Sequence, residues 1–204
     1  PAWQNRQKLY GIVHLHSAFL PVVKVNIGAQ MQVRLDGRNA IITGGSAGIG
    51  KAIAKNFLTS GANVAIVARR RDVLDAAKAE IEAEGEKASN TGKVIALSAD
   101  IRRDDECTGV IDNIIADFGR IDVLVNNAGT SQRGAFLDVN DEVWQDDLDL
   151  KLFSAIRLSR LVIPGMRERK WGRIINVLNL GAKAPNANGA PTAVSRAAGM
   201  ALTK

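Results

Sequence analysis

Residues 39–50 read Asn-Ala-Ile-Ile-Thr-Gly-Gly-Ser-Ala-Gly-Ile-Gly, a short apolar run that stops on glycines. A run without polar alternation is that of a strand covered on both faces. The glycines let the backbone turn tightly and come close to a pyrophosphate. The charge of that group is favoured by the free N–H groups that open the following helix. This helix carries Ile49, Ala52, Ile53 and Phe57 on one side, with Lys51, Lys55 and Asn56 elsewhere, and it stops at Ser60-Gly61. A second apolar run, Asn63–Ala68, follows at the spacing of a dinucleotide-binding strand–helix–strand unit.

The same alternation continues outward. Asp72–Glu84 reads as a polar helix ended by Gly85, Val94–Ala99 as the third strand, and Arg103–Phe118 as a helix stopping at Gly119. Asp122–Asn126 is the fourth strand. A long helix runs from about Asp141 to Arg169, Arg173–Leu178 is the fifth strand, and a further helical pattern begins near Thr192. Five apolar strands alternating with helices predict an α/β fold with a doubly wound parallel sheet of the Rossmann type.

The chain has 204 residues, 46% of them hydrophobic and 24% charged, which suits one soluble globular domain. A single cysteine, Cys107, excludes an intramolecular disulfide framework and fits a reducing, cytoplasmic compartment. Tyr10, His14 and His16 are the only residues of their types. Ser-His-Asp or Cys-His catalysis and a histidine-ligated metal are therefore excluded from the body of the chain. The net charge is +6, but residues 1–35 hold Arg6, Lys8, Lys24 and Arg34 with no acid. The remainder has 23 basic against 21 acidic side chains, a difference of +2, which argues against nucleic acid as a partner. Residues 1–30 are too interrupted for a transmembrane helix and lack a secretory signal, so no membrane partner is expected. They read as a leader or non-native upstream segment ahead of a domain over residues 31–204.

The motifs carry a family resemblance. Thr43-Gly44-Gly45-Ser46-Ala47-Gly48-Ile49-Gly50 resembles the TGxxxGxG motif of the short-chain dehydrogenase/reductase family. Asn126-Asn127-Ala128-Gly129 after the fourth strand, Trp144 with Pro164-x-Met166, and Gly172–Val177 are similar to it as well. The resemblance covers about residues 31–204. It implies that Thr43, Gly44, Ser46, Gly48, Ile49 and Gly50 hold a nicotinamide cofactor, and that Asp100 and Ile101 meet its adenine. It further implies that Asn127, Ala128 and Gly129 line the adenosine side. At the end of the second strand an acid would accept from the ribose 2′-hydroxyl, whereas Arg69 is suited to a 2′-phosphate. NADP(H) is therefore expected in preference to NAD(H). The other reading makes Arg69, Arg70 and Arg71 a solvated basic cluster at a helix start.

The resemblance also implies hydride transfer between nicotinamide and a carbonyl or alcohol carbon, served by a tyrosine, a lysine, a serine and an asparagine. Aligned by motif, those positions hold Thr192, Arg196, Asn179 and Lys151, so all four are substituted. Thr192 keeps a hydroxyl but is far too weak an acid to stand in for a phenol. Arg196 can hold ribose hydroxyls but cannot shuttle protons. Asn179 can still donate to a substrate oxygen. Lys151 falls on a helical stripe with Trp144, Leu148, Ala155, Leu158 and Val162, an apolar face that would lower its pKa.

Lys151 is thus expected to replace the tyrosine as proton donor, with Asn179 and Thr192 orienting the oxygen. The alternative is that it snorkels or pairs with an acid and the pocket does no redox chemistry. Lys183 is a lesser candidate. Cys107 sits among Asp104, Asp105 and Glu106, which would suppress its thiolate.

The chain stops inside the helix that carries Arg196, so the domain is expected to be a fragment, incomplete after the fifth strand and part of the next helix. The region that chooses the substrate would lie beyond it. The sequence therefore points to an NADP(H)-dependent oxidoreductase acting on a small molecule. The alternatives are a silent nucleotide-binding scaffold or a non-redox enzyme on the same fold. A homo-oligomer through the long helix and its neighbour is a further implication.

Overall fold

The computed structural model describes residues 34–88 and 92–204. The expected leader at residues 1–30, with Tyr10, His14 and His16, lies outside the described residues. Strands β1 (Asn39–Thr43), β2 (Asn63–Ala68), β3 (Val94–Ser98), β4 (Val123–Asn126), β5 (Arg133–Gly134), β6 (Arg173–Asn176) and β7 (Ala190–Pro191) fall into two sheets. The main sheet is parallel throughout, in the order β3-β2-β1-β4-β6, and β5 and β7 form a separate antiparallel pair. The doubly wound parallel sheet read from the sequence is the observed one.

Alternate residues of β1 build the two halves of the core, because successive side chains of a strand point to opposite faces. Ile41 joins Val67 and Leu124 against Ile111 and Ile114 of α3 (Asp104–Phe118) and Leu158 and Val162 of α5 (Ser154–Glu168). Ile42 joins Ile66 and Val125 against Leu58 of α1 (Gly48–Thr59) and Leu74 and Ile81 of α2 (Arg71–Lys87). Strand order reverses between β1 and β4. In open α/β sheets ligands bind at the carboxyl ends of the strands beside such a switch point.

Three expectations are corrected. Helix α2 runs through Gly85 to Lys87 instead of ending at it. Gly85 continues the buried stripe of Leu74, Ala77 and Ile81, so it packs against the body rather than capping the helix. The long helix expected over 141–169 is broken in type. α4 (Asp141–Leu148) passes into a five-residue π-helical segment, Asp149–Phe153, before α5 begins. The third and fifth apolar runs also pair over fewer residues than their hydrophobicity suggested, ending at Ser98 and Asn176. No described helix is long and apolar enough to cross a membrane.

Cys107 lies fully buried in α3, its thiol donating to the Ile101 carbonyl at 3.2 Å. Its pKa is pushed up to about 11, chiefly by burial and only secondarily by the acidic neighbours named above. At pH 8 only about one thiol in 1,000 would then be ionised. The native chain is expected to resist iodoacetamide at pH 8 and to label promptly once unfolded in guanidinium. Equal native and unfolded labelling rates would contradict the burial.

Candidate active site

The carboxyl ends of β1 and β4 are welded together by side chains. Thr43 is buried, and its Oγ1 accepts from the N–H groups of Asn127 and Ala128, each at 3.0 Å, while donating to Val125 O at 3.3 Å. Asn127 Nδ2 donates back to Thr43 O at 2.9 Å. Thr43 therefore fixes the glycine turn by joining it to the end of β4. Gly50 acts in the same way. It is buried against Gly44, and a side chain there would overlap the Gly44 carbonyl and the Asn127 amide.

Gly44 and Gly48 have φ of +66° and +52°, the left-handed region that favours glycine. A Cβ on Gly44 would stand 2.9 Å from Ala128 Cα, whereas Gly48 faces open space. Helix α1 opens after Ala47, whose side chain caps nothing, so its first N–H groups have no side-chain acceptor. A glycine cradle in front of an uncapped helix start fits a pyrophosphate. Ser46 is half-buried in the same turn.

Two cavities border this turn, and a third lies beside Asn179 and the start of the helix that begins at Thr192. The first, about 140 Å³, is lined by Gly44, Arg69, Asp100, Ile101, Ala128 and Gly129 among others. The second, about 400 Å³, brings Gly48, Ile49 and Asn127 to Asn179 and Arg196. Asn127 lines the second cavity, and Ala128 and Gly129 line both. The third, about 280 Å³, is lined by Thr192, Arg133 and, again, Asn179.

Within the arginine cluster the side chains differ. Arg71 pairs with Asp75 at 2.8 Å, whereas Arg69 lines the first cavity, exposed and without a carboxylate partner among the described residues. Asp100 across the cavity is held by Arg102 at 2.6 Å, and that hydrogen bond keeps its carboxyl below the usual range.

Lys151 sits in the π-helical segment with its side chain wholly enclosed. It donates to the Asp147 carboxylate and, at 2.7 Å, to Thr192 Oγ1. Asp147 also accepts from Ser195 Oγ at 2.6 Å and from Thr192 Oγ1 at 3.3 Å. Burial pushes the Lys151 ammonium below the usual lysine range, with the Asp147 contact opposing. The enclosed ammonium is joined to the Thr192 hydroxyl by that hydrogen bond. The expected stripe is also revised, because Trp144 and Leu148 are half-buried and Asp147 is the buried residue on that turn.

Arg196, on α6 (Thr192–Leu202), donates from Nη1 to Val177 O at 2.6 Å and has a buried Nε without a partner. Burial lowers its pKa. Its guanidinium lies so close to Gly129 that any Cβ there would stand 2.6 Å from Nη2. Asp147 and Ser195 were missed by the sequence reading. The available signals were an acid four residues before Lys151 and a hydroxyl three residues after Thr192, each on the same helical face.

Residues 38–204 match the family described as short chain dehydrogenase. The chain belongs to the short-chain dehydrogenase/reductase family. A short chain dehydrogenase of Pseudocercospora fijiensis is 37% identical to it over 171 residues, covering 83% of this chain and 53% of the relative. The L-sorbose reductase of Gluconobacter frateurii, solved with NADPH and L-sorbose, superposes with a TM-score of 0.78 at 35% identity, covering 84% of this chain and 64% of the reductase. A 7α-hydroxysteroid dehydrogenase solved with NADH gives 0.77 at 36%, again covering 84% and 64%. The chain thus spans about half to two thirds of the length of those relatives. The first and second cavities flank the Gly44 turn at the switch point, where an NAD(P)(H)-binding fold takes its cofactor.

Proposed function

We propose that this chain is the cofactor-binding part of an NADP(H)-dependent oxidoreductase acting on a small carbonyl or alcohol substrate, with the proton moved between Lys151 and the substrate oxygen through Thr192. The observation that carries the reading is the 2.7 Å contact from Lys151 Nζ to Thr192 Oγ1, on a residue that also lines the third cavity. The nicotinamide, when bound, supplies or accepts the hydride. Every other part of the step belongs to the chain.

Arg69 and the uncapped start of α1 bind the nucleotide's phosphates, and Arg196 holds ribose hydroxyls. Asn179, which lines both the second and third cavities, donates its amide to the reacting oxygen. Thr192 is too weak an acid to release a proton alone. As a relay it gives one up while taking one from Lys151, so no alkoxide accumulates. The lysine is left as a neutral amine beside Asp147, a form that burial already favours. Carbonyl reduction therefore falls as pH rises through the lowered Lys151 pKa, because the protonated form is the acid.

Asp147 favours a second reading, a silent nucleotide-binding scaffold, because Lys151 already has a permanent counter-charge. One experiment separates the two. NADPH binding is followed by its fluorescence, and its oxidation is followed across a panel of carbonyl compounds. Thr192→Val keeps the shape and removes the hydroxyl. It is expected to lower kcat by about 10²–10⁴-fold while NADPH affinity stays within about twofold. Unchanged turnover in Thr192→Val overturns the relay. NADPH binding with no carbonyl reduced by the parent chain establishes the scaffold.

A further inference from the structure

Arg133 has no role in what precedes. It lies on β5, opposite Pro191 of β7, and the Thr192 N–H donates to Gln132 O at 3.4 Å beside it. This two-residue pairing ties the Arg133 backbone to the start of α6, and the arginine lines the third cavity with Thr192, Asn179 and Asn186. It is the only charged residue in that lining. Its guanidinium is exposed and has no carboxylate partner or hydrogen bond among the described residues, in contrast to Arg102, Arg103, Arg120 and Arg157, each paired with an acid.

No acid in the adjoining cluster is free to neutralise it. Asp147 is already engaged by Lys151, Ser195 and Thr192. The field of Arg133 reaches that cluster, where it disfavours the charged form of Lys151. Arg196, between the second cavity and Gly129, adds another positive charge near the reacting end. The carboxamides of Asn179 and Asn186 line the cavity and make no side-chain hydrogen bond among the described residues.

We propose that the third cavity is a subsite for a carboxylate carried by the substrate, with Arg133 as its charged partner, so that the compounds reduced are small oxo acids. The planar guanidinium fork matches a carboxylate with two parallel hydrogen bonds. The cavity, about 280 Å³, is of the size of a small-molecule site. Asn186 assists at the carboxylate, while Thr192 and Asn179 stand at the carbonyl. This assignment rests on the oxidoreductase reading for its carbonyl but not for its anion.

The test separates the two. The chain saturated with NADPH is titrated in a calorimeter with 2-oxobutanoate, 4-oxopentanoate and 5-oxohexanoate, each against its methyl ester, and the same compounds are assayed for NADPH oxidation. At least one acid is expected to bind tenfold or more tightly than its ester. Arg133→Gln is expected to erase that preference and Arg133→Lys to retain most of it. An acid preference that depends on Arg133 sustains the subsite even if no compound is reduced, in which case only the oxidoreductase reading falls. Equal binding of acid and ester at every length, or a preference that survives Arg133→Gln, overturns the subsite even if neutral ketones turn over.

Discussion

Lys151→Met is expected to lower folding stability by about 3–5 kcal/mol, the usual loss when one member of a buried ion pair is removed. Both side chains of the Lys151–Asp147 pair are fully enclosed. Without the ammonium, Asp147 keeps only the hydroxyls of Ser195 and Thr192. Asp147→Asn is expected to be milder, because burial already pushes Lys151 toward its neutral form and the orphaned lysine can shed its proton. The double variant Lys151→Met with Asp147→Asn should lose clearly less than the sum of the singles, as residues in one network do not add. Urea unfolding at pH 7 checks all three; a Lys151→Met loss under about 1 kcal/mol would show the pair to be dispensable.

The same pair fixes a pH dependence. The folded-state pKa of Lys151 lies below its unfolded value of 10.5. Between the two values the unfolded chain binds the extra proton, so the contribution of this group improves as pH rises toward 10.5. Below the folded pKa the whole penalty of charging a buried lysine is present. Lys151→Met should remove that alkaline slope from the stability curve.

The centre of the main sheet was legible because β1 and β2 are buried on both faces, so Ile41-Ile42 and Val64 to Val67 are unbroken apolar runs. The glycine turn was legible for the same physical reason that makes it work, since the positive φ at 44 and 48 favours glycine and a Cβ at 44 would meet Ala128. Contacts within the motif were less so. The spacing brings Thr43 and Asn127 to the groove but does not say that the Thr43 hydroxyl is consumed by the Asn127 and Ala128 N–H groups. Lys151 was visible as a charge interrupting an apolar face. Its partner, Asp147, stands at ordinary i,i+4 spacing, but Asp146 and Asp149 flank it and spacing alone does not say which of these acids is buried. β5 and β7 are two residues each, too short to leave any periodicity, and with them the placement of Arg133 was hidden.

Arg69→Asp is expected to reverse the choice of cofactor. In the cavity beside Asp100 and Ile101, Arg69 makes no salt bridge among the described residues, so its charge is available to a ribose 2′-phosphate. Losing one charge-assisted contact weakens NADPH by about 1.5–3 kcal/mol, which is roughly 10–150-fold in Kd. The new carboxylate repels the phosphate as well, and it offers an acceptor to the 2′-hydroxyl of NADH, which should bind more tightly than before. Arg71→Ser, at a side chain tied to Asp75, is the control and should move NADPH affinity by less than about threefold, as exposed ion pairs contribute little. Fluorescence titration of both cofactors at two salt concentrations checks each variant. In the parent chain NADPH affinity should fall with salt more steeply than NADH affinity, because only the first carries the 2′-phosphate proposed to meet Arg69. Equal shifts in Arg69→Asp and Arg71→Ser would return the cluster to a general basic surface. A shift confined to Arg69 leaves the 2′-phosphate as the only group that distinguishes the two cofactors at that point.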